Sequence, residues 1–193
     1  MFRQDEDGES QVDKGGIGSK LLKARTVLIA GEIDQDVAER VIGQLAVLDC
    51  NSHDPIRVFI TSNGGHVESG LAIHDMMKFV ESEIIAIGAG WVVSIAVPIF
   101  FGAEKANRYS LPNTRFMIHQ PLGGVGGQAA DVSIAAKEII KIRESLNQMI
   151  AKETGQTVEK VAADSDRNYW MTSEEALEYG LVSKIIKSVK EIG

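Results

Sequence analysis

Cysteine is nearly missing from this sequence, with one residue, Cys50, among 193. A single thiol excludes an internal disulfide, disfavours a Cys-ligated metal site, and fits a reducing compartment. Histidine is sparse as well. None of the four forms an HExxH pair, and His66 and His74 stand eight residues apart, so a metal site is not expected. Positive charge is in deficit: 20 Lys and Arg face 27 Asp and Glu, for a net charge of −7. The basic residues are also scattered, so no face is offered to nucleic acid. No GK[ST] occurs, which removes a Walker A loop. One charge-free run, Ile84 to Ala103, reaches membrane-spanning length, but Gly88, Gly90, Ser94 and Pro98 interrupt it. A buried strand leading into a buried helix has the same hydropathy, and no membrane association is expected. The first twenty residues carry acids and no apolar core, unlike a secretory signal or a transit peptide, and the expected location is the cytoplasm.

What is present is 44% hydrophobic and 24% charged, enough for one folded domain. Residues 1–19 are polar and acidic and read as a flexible arm, with the domain proper over 20–193. A short apolar strand, a polar or Gly turn and a helix then recur. TVLIAGEI leads into DQDVAERVIGQLAVLDC, where Asp36 and Glu39 offer a capping box and Val37, Val41, Leu45 and Leu48 share a face. IRVFI leads through TSNGG into VESGLAIHDMMKFV, and IIAIGAG leads into WVVSIAVPIFF. Three such units predict an α/β fold, because parallel strands need crossover helices. TRFMIHQPLGGVGGQ reads as a strand ending in glycines. A helix of about 25 residues follows, from about Ala129 to Thr154, longer than the body of a domain this size needs. Such a helix is expected to protrude toward a partner subunit. TSEEALEYG begins with a Thr172–Glu175 capping box, stops at Gly180, and precedes a last strand, LVSKIIKS.

Gly124, Gly126 and Ala129 fit a loose GxGxxA, but the acidic residue expected about 20 positions on falls inside a helix, so a dinucleotide site is disfavoured. Two features carry more chemistry. TSNGG places Gly64 and Gly65 at a strand-to-helix junction, where free N–H groups can face an oxyanion. Ser94 sits just past a strand end, with the N–H of Ile95 among the unpaired donors of the next turn. Alone, this leaves Ser94 open between a hydroxyl bonded back to a helix carbonyl and a nucleophile. His119 closes an apolar strand that Pro121 stops, leaving its imidazole at a rim. Nucleophile, base and oxyanion donors are then all available.

The segments SNGG, GWVVSIAVPIFFGA, RYSLPNTRFMIHQPLGGVGGQAAD and MTSEEALEYGLV together resemble the proteolytic subunit of the ATP-dependent Clp protease, from about Leu21 to Ile186. The resemblance implies a crotonase-like α/β fold of repeated strand-strand-helix units, with the long helix as a handle joining two stacked seven-membered rings. It implies a serine endopeptidase that cleaves unfolded polypeptide fed by an AAA+ ATPase unfoldase, and no cofactor of its own, since the partner uses the ATP. Carried over by position, the nucleophile falls on Ser94, the general base on His119, and the oxyanion donors on the N–H groups of Gly65 and Ile95. Main-chain groups of Gly65, His66, Val67 and Leu122 would hold the peptide as an added strand.

The sequence also departs from that family. The usual third aspartate falls on Asn168, which can accept from a histidine N–H but brings no charge. Asp166 or Asp164 could replace it after a local shift, although two residues of extended chain move a group by roughly 6 to 7 Å. Trp91, Val92, Val93, Ile95 and Pro98 are bulkier or stiffer than the family's usual residues, Asn63 stands where proline is common, and residues 1–19 do not resemble the usual N-terminal segment. These departures suggest a divergent paralogue, in rings of its own or mixed with a standard copy. The alternatives are a weakly active structural ring subunit and a crotonase-type acyl-CoA enzyme, which would have no requirement for Ser94 or His119.

Overall fold

The computed structural model describes residues 16–121 and 126–192. Its seven strands form one sheet in the order β1–β2–β3–β4–β7, with β5 beside β3, and β6 beside β5. In chain order these are β1 (Thr26–Ile33), β2 (Ile56–Gly65), β3 (Ile84–Val93), β4 (Arg108–Ser110), β5 (Arg115–Ile118), β6 (Tyr169–Met171) and β7 (Lys184–Ile185). All pairings are parallel except β5 with β6. The helices between them are α1 (Ile17–Lys23), α2 (Gln35–Asn51), α3 (Val67–Phe79), α4 (Ala96–Phe100), α5 (Ala129–Thr154), α6 (Val158–Asp164) and α7 (Ser173–Tyr179). This is the expected α/β architecture, and it follows from patterning. In β2, Ile56, Val58 and Ile60 alternate inward, and in α2, Ala38, Val41, Leu45 and Leu48 are buried on one face.

One strand serves two neighbours in succession. The first half of β3 pairs with β4 (Ala86↔Arg108), and its last residues pair with β5 (Trp91↔Arg115, Val93↔Met117). Because β2, β3 and β5 run parallel, their C-terminal ends meet at one edge, the ordinary place for a site in such a sheet.

Several boundaries differ from the sequence expectation. TSNGG is not a turn: β2 continues through Gly65. WVV is strand, and the helix beyond it, α4, has only five residues. The cap of α2 is Asp34, whose carboxylate accepts from the Val37 N–H at 2.8 Å, in place of the Asp36–Glu39 box. LVSKIIKS supplies only the two-residue β7. Helix α1 begins at Ile17, inside the stretch expected to be arm, and residues 1–15 lie outside the described residues, as do Gly124 and Val125 of the glycine-rich run. The Thr172–Glu175 capping box and the left-handed Gly180 cap are as expected.

The long helix spans Ala129–Thr154, about 39 Å by the 1.5 Å rise. Only Leu146, Asn147, Ile150, Ala151 and Thr154 of it are buried, while Val132, Ile134 and Ile140 face outward. Ile142 packs against the core, whereas these three exposed apolar side chains lie in the part of the helix before it.

Candidate active site

Three strand ends build the site. Strand β3 finishes at Val93, and Ser94 then takes a left-handed backbone conformation, φ +58°, which a serine adopts at a cost of about 1 to 3 kcal/mol. The surroundings hold it there. Its N–H donates to the Met117 carbonyl at 2.9 Å, Val93 and Ile95 on either side are buried, and α4 starts two residues later. The hydroxyl is thereby turned out of the core toward the end of β5. His119 follows β5 directly, and the Ser94 hydroxyl donates to His119 Nε2 at 2.8 Å.

On its other side, His119 Nδ1–H donates to Asn168 Oδ1 at 3.2 Å. Asn168 immediately precedes β6, which runs antiparallel to β5 and returns the chain to the level of His119 (Ile118↔Tyr169). The two aspartates considered as substitutes are engaged elsewhere. Asp164 Oδ2 accepts from Lys160 Nζ at 2.7 Å and from the Tyr179 hydroxyl at 2.9 Å. Asp166 turns its carboxylate to solvent beside Arg167.

The glycines of β2 lie against the nucleophile. A Cβ on Gly64 would stand 2.6 Å from Ser94 Cβ, and one on Gly65 would stand 2.1 Å from the Ile33 carbonyl oxygen, so neither position has room for a side chain. The His66 N–H donates to Ile33 O at 2.7 Å. Successive strand amides point to opposite edges, so the Gly65 N–H faces away from β1. On that side β2 pairs with β3 only as far as Ser62↔Val92. The Gly65 N–H therefore lies beyond the end of the β2–β3 pairing, one residue after the glycine that packs against Ser94. The Ile95 N–H, at the start of α4, finds no acceptor among the described residues.

Of the residues expected to hold a peptide, Gly65 and Val67 flank this edge, and Leu122 lies outside the described residues. His66 is a correction. Its N–H is bound to β1, its carbonyl accepts from the Gly70 N–H, and its ring caps α3 through Ser69, so its main-chain donor is not free for a peptide. Beside Ser94 is a pocket with apolar walls from Val67, Ile95, Pro98, Ile118, Leu146 and Ile150. The C-terminal part of α5 forms one side of it, which links the long helix to the site. Gln120, Asn147 and Ser165 also surround the site, and sequence reasoning passed over them. Only the position of Gln120 next to His119 could have drawn attention to any of them.

Comparison with known proteins gives a consistent result. Residues 8–189 match the Clp protease family. The chain is 48% identical to ATP-dependent Clp protease proteolytic subunit 3 of Rhizobium meliloti, over 99% of this chain and all of that one. It is 46% identical to ATP-dependent Clp protease proteolytic subunit 2 of Pseudomonas aeruginosa, over 100% of this chain and 98% of the relative. Among solved structures, ClpP1 of Listeria monocytogenes is 49% identical, covering 91% of this chain and 99% of that one at a TM-score of 0.83. An asparagine-to-aspartate variant of the same ClpP1 matches at a TM-score of 0.85, with 48% identity over 91% of this chain and 98% of the variant.

Proposed function

The chain belongs to the Clp protease family, and from that premise we propose that it cleaves peptide bonds at Ser94, with His119 as general base and Asn168 as the group that orients it. It is a serine-type peptidase, the proteolytic subunit of a compartmental protease. The observation that carries the residue assignment is the 2.8 Å hydrogen bond from Ser94 to His119 Nε2. An architectural subunit would have no need to hold a serine in a left-handed conformation for the sake of that contact.

In the reaction, Ser94 Oγ attacks the scissile carbonyl carbon as its proton passes to His119 Nε2. The oxyanion is received by the N–H groups of Gly65 and Ile95. His119 then gives the proton to the departing amine, leaving an acyl-serine. Water attacks that ester with His119 again as base, and the new carboxyl end leaves. Throughout, Asn168 Oδ1 accepts from Nδ1–H, which keeps Nε2 the basic nitrogen facing Ser94. An uncharged acceptor stabilises the imidazolium less than a carboxylate does, so the rate is set below that of an aspartate-bearing site. The apolar pocket would seat an apolar side chain next to the cleaved bond.

Unfolded polypeptide, delivered by an ATP-consuming unfoldase, is the proposed substrate, and the chain works without a cofactor of its own. The exposed apolar side chains of α5, Val132, Ile134 and Ile140, support assembly into stacked rings, of this chain alone or mixed with a paralogue. Among the described residues no helix is long and apolar enough to cross a membrane. We place the assembly in the cytoplasm. A fluorophosphonate probe should label the wild-type assembly, and not Ser94→Ala, in step with hydrolysis of a short peptide. No labelling of the wild type, alone or mixed with a paralogue, would overturn the assignment.

A further inference from the structure

Asn168 is exposed, unlike most groups that orient a catalytic histidine, and it stands outside any strand, one residue before β6. Water competes for an exposed amide, so its position must be fixed through the chain that carries it. Downstream of Asn168, Tyr169 pairs with Ile118 of β5, and upstream the segment 165–168 is tied to the histidine's own stretch of chain by Gln120. The Gln120 main-chain N–H donates to the Ser165 carbonyl at 2.7 Å, and its side-chain Nε2 donates to the Asp166 carbonyl at 2.9 Å. Ser165 is fixed from the opposite side, where its buried hydroxyl donates to Oδ1 of the buried Asn147 on α5 at 3.1 Å. The segment is thus pinned at Ser165 by α5 and at Asp166 by Gln120, two residues short of Asn168.

We propose that Gln120 is a positioning residue for the hydrolytic reaction, its side chain clipping the Asn168 segment to the strand that ends in His119. The inference rests on Asn168 orienting His119. The Ser165 bonds fix where the segment starts, and the Gln120 side chain fixes its course toward Asn168. Without that bond the Asp166 carbonyl turns to water, Asn168 Oδ1 leaves His119 Nδ1, and the imidazole samples the tautomer that cannot take the Ser94 proton. Substrate contacts on Gly65, Val67 and the apolar pocket are untouched.

The test compares Gln120→Met, which keeps length and volume without the donor, and Gln120→Glu, which sets a carboxylate against the Asp166 carbonyl, each with Asn168 intact and with Asn168→Ala. In the assembled protein, Gln120→Met should lower kcat for a short peptide about tenfold, as expected when one hydrogen-bond's worth of orientation is lost, and leave KM unchanged. Gln120→Glu should cost more. In the Asn168→Ala background neither should slow the reaction or the fluorophosphonate labelling further, because the group they position is gone. An equal loss in both backgrounds, a loss carried by KM, or no loss with Asn168 present overturns the proposal. These results are separable from the parent reading: a labelled wild type with uncoupled Gln120 variants rejects only Gln120, whereas an unlabelled wild type rejects both.

Discussion

His119 makes one hydrogen bond to each side, and the two sides are supported differently. Toward Ser94 the support is the sheet. Strands β3 and β5 pair residue by residue up to the site, Val93, Ile95 and Ile118 are buried, and Gly64 packs so closely that a single added carbon would strike the serine. Toward Asn168 the support is an irregular segment whose place depends on a few polar contacts, and the acceptor at its end is exposed. The 2.8 Å bond from Ser94 is ordinary for a hydroxyl donor, whereas the 3.2 Å bond to Asn168 lies at the long end for an N–H donor. A close-packed framework fixes position through many small contacts, whereas a loop fixes it through a few bonds that each matter. The chemistry that cannot tolerate displacement is carried by the first kind of support.

The largest effect should come from removing the group both sides share. His119→Ala is expected to lower kcat by on the order of 10⁴ or more, with fluorophosphonate labelling of Ser94 lost in parallel. Retention of labelling would mean that Ser94 is activated by another base. Next comes damage to the framework. In Gly64→Ala the new methyl must displace Ser94, since its ideal position is 2.6 Å from Ser94 Cβ and φ at 64 is +92°. A displacement near 1 Å costs about 10²-fold in rate, and that is the loss expected in a variant that still assembles by size-exclusion chromatography. A rate within threefold of wild type would show the framework side to be softer than the sheet contacts suggest.

The sequence revealed the framework side far better than the loop side. Thr26–Ile33 and Ala129–Thr154 could be read closely, because an apolar run of strand length bounded by polar residues and a 26-residue helical pattern outweigh local ambiguity. The places where reading failed are short. WVV scanned as the start of a helix, yet the parallel partner β5 extends β3 to Val93, a tertiary contact that no local pattern encodes. Strands β4, β6 and β7 have three residues or fewer, too few to show a period. Ser94 and His119 could be located because they close strands, whereas Asn168 came only from the family resemblance, as the position where the usual third aspartate falls. The polar ties of the loop could not be found this way: Gln120, Asn147 and Ser165 meet across 45 and 18 positions of sequence, and nothing next to any of them in the chain marks it as a partner of the others.

The loop side can be strengthened without moving it. Asn168→Asp supplies a charged acceptor at the same reach, and a charge-assisted bond exceeds a neutral one by about 1 to 1.5 kcal/mol. Peptide hydrolysis should therefore rise about tenfold in kcat with KM unchanged. The gain is limited because the amide already faces Nδ1 with its oxygen, so the variant adds charge and does not correct a tautomer. An equal or lower rate would mean that Asn168 is not the orienting group, and the contrast between the two sides of His119 would lose its catalytic meaning.

The smallest effect separates holding the fold from holding the acceptor. Beyond Asn168 the chain is anchored by an aromatic cluster: Tyr169 packs on Tyr179 at 5.9 Å, Lys160 lies over both rings, and the Tyr179 hydroxyl donates to Asp164. Burial, and then the Asp164 contact, push the Tyr179 hydroxyl above its ordinary pKa of 10.0, so it remains a donor at any physiological pH. Tyr179→Phe keeps the packing and loses one half-buried hydrogen bond, which predicts about 1 kcal/mol of stability and a fall of about 2 to 4 °C in Tm. A raised pKa stabilises the fold fully below the unfolded value and less as pH climbs beyond it. The Tm gap between wild type and variant should accordingly be constant through neutral pH and narrow above pH 10. Hydrolysis should stay within about twofold, because the 165–168 segment remains pinned by Gln120 and Asn147 on the opposite side. A loss of kcat as large as that of Gln120→Met would instead make the cluster part of the positioning apparatus, with Asn168 held from both ends of its segment.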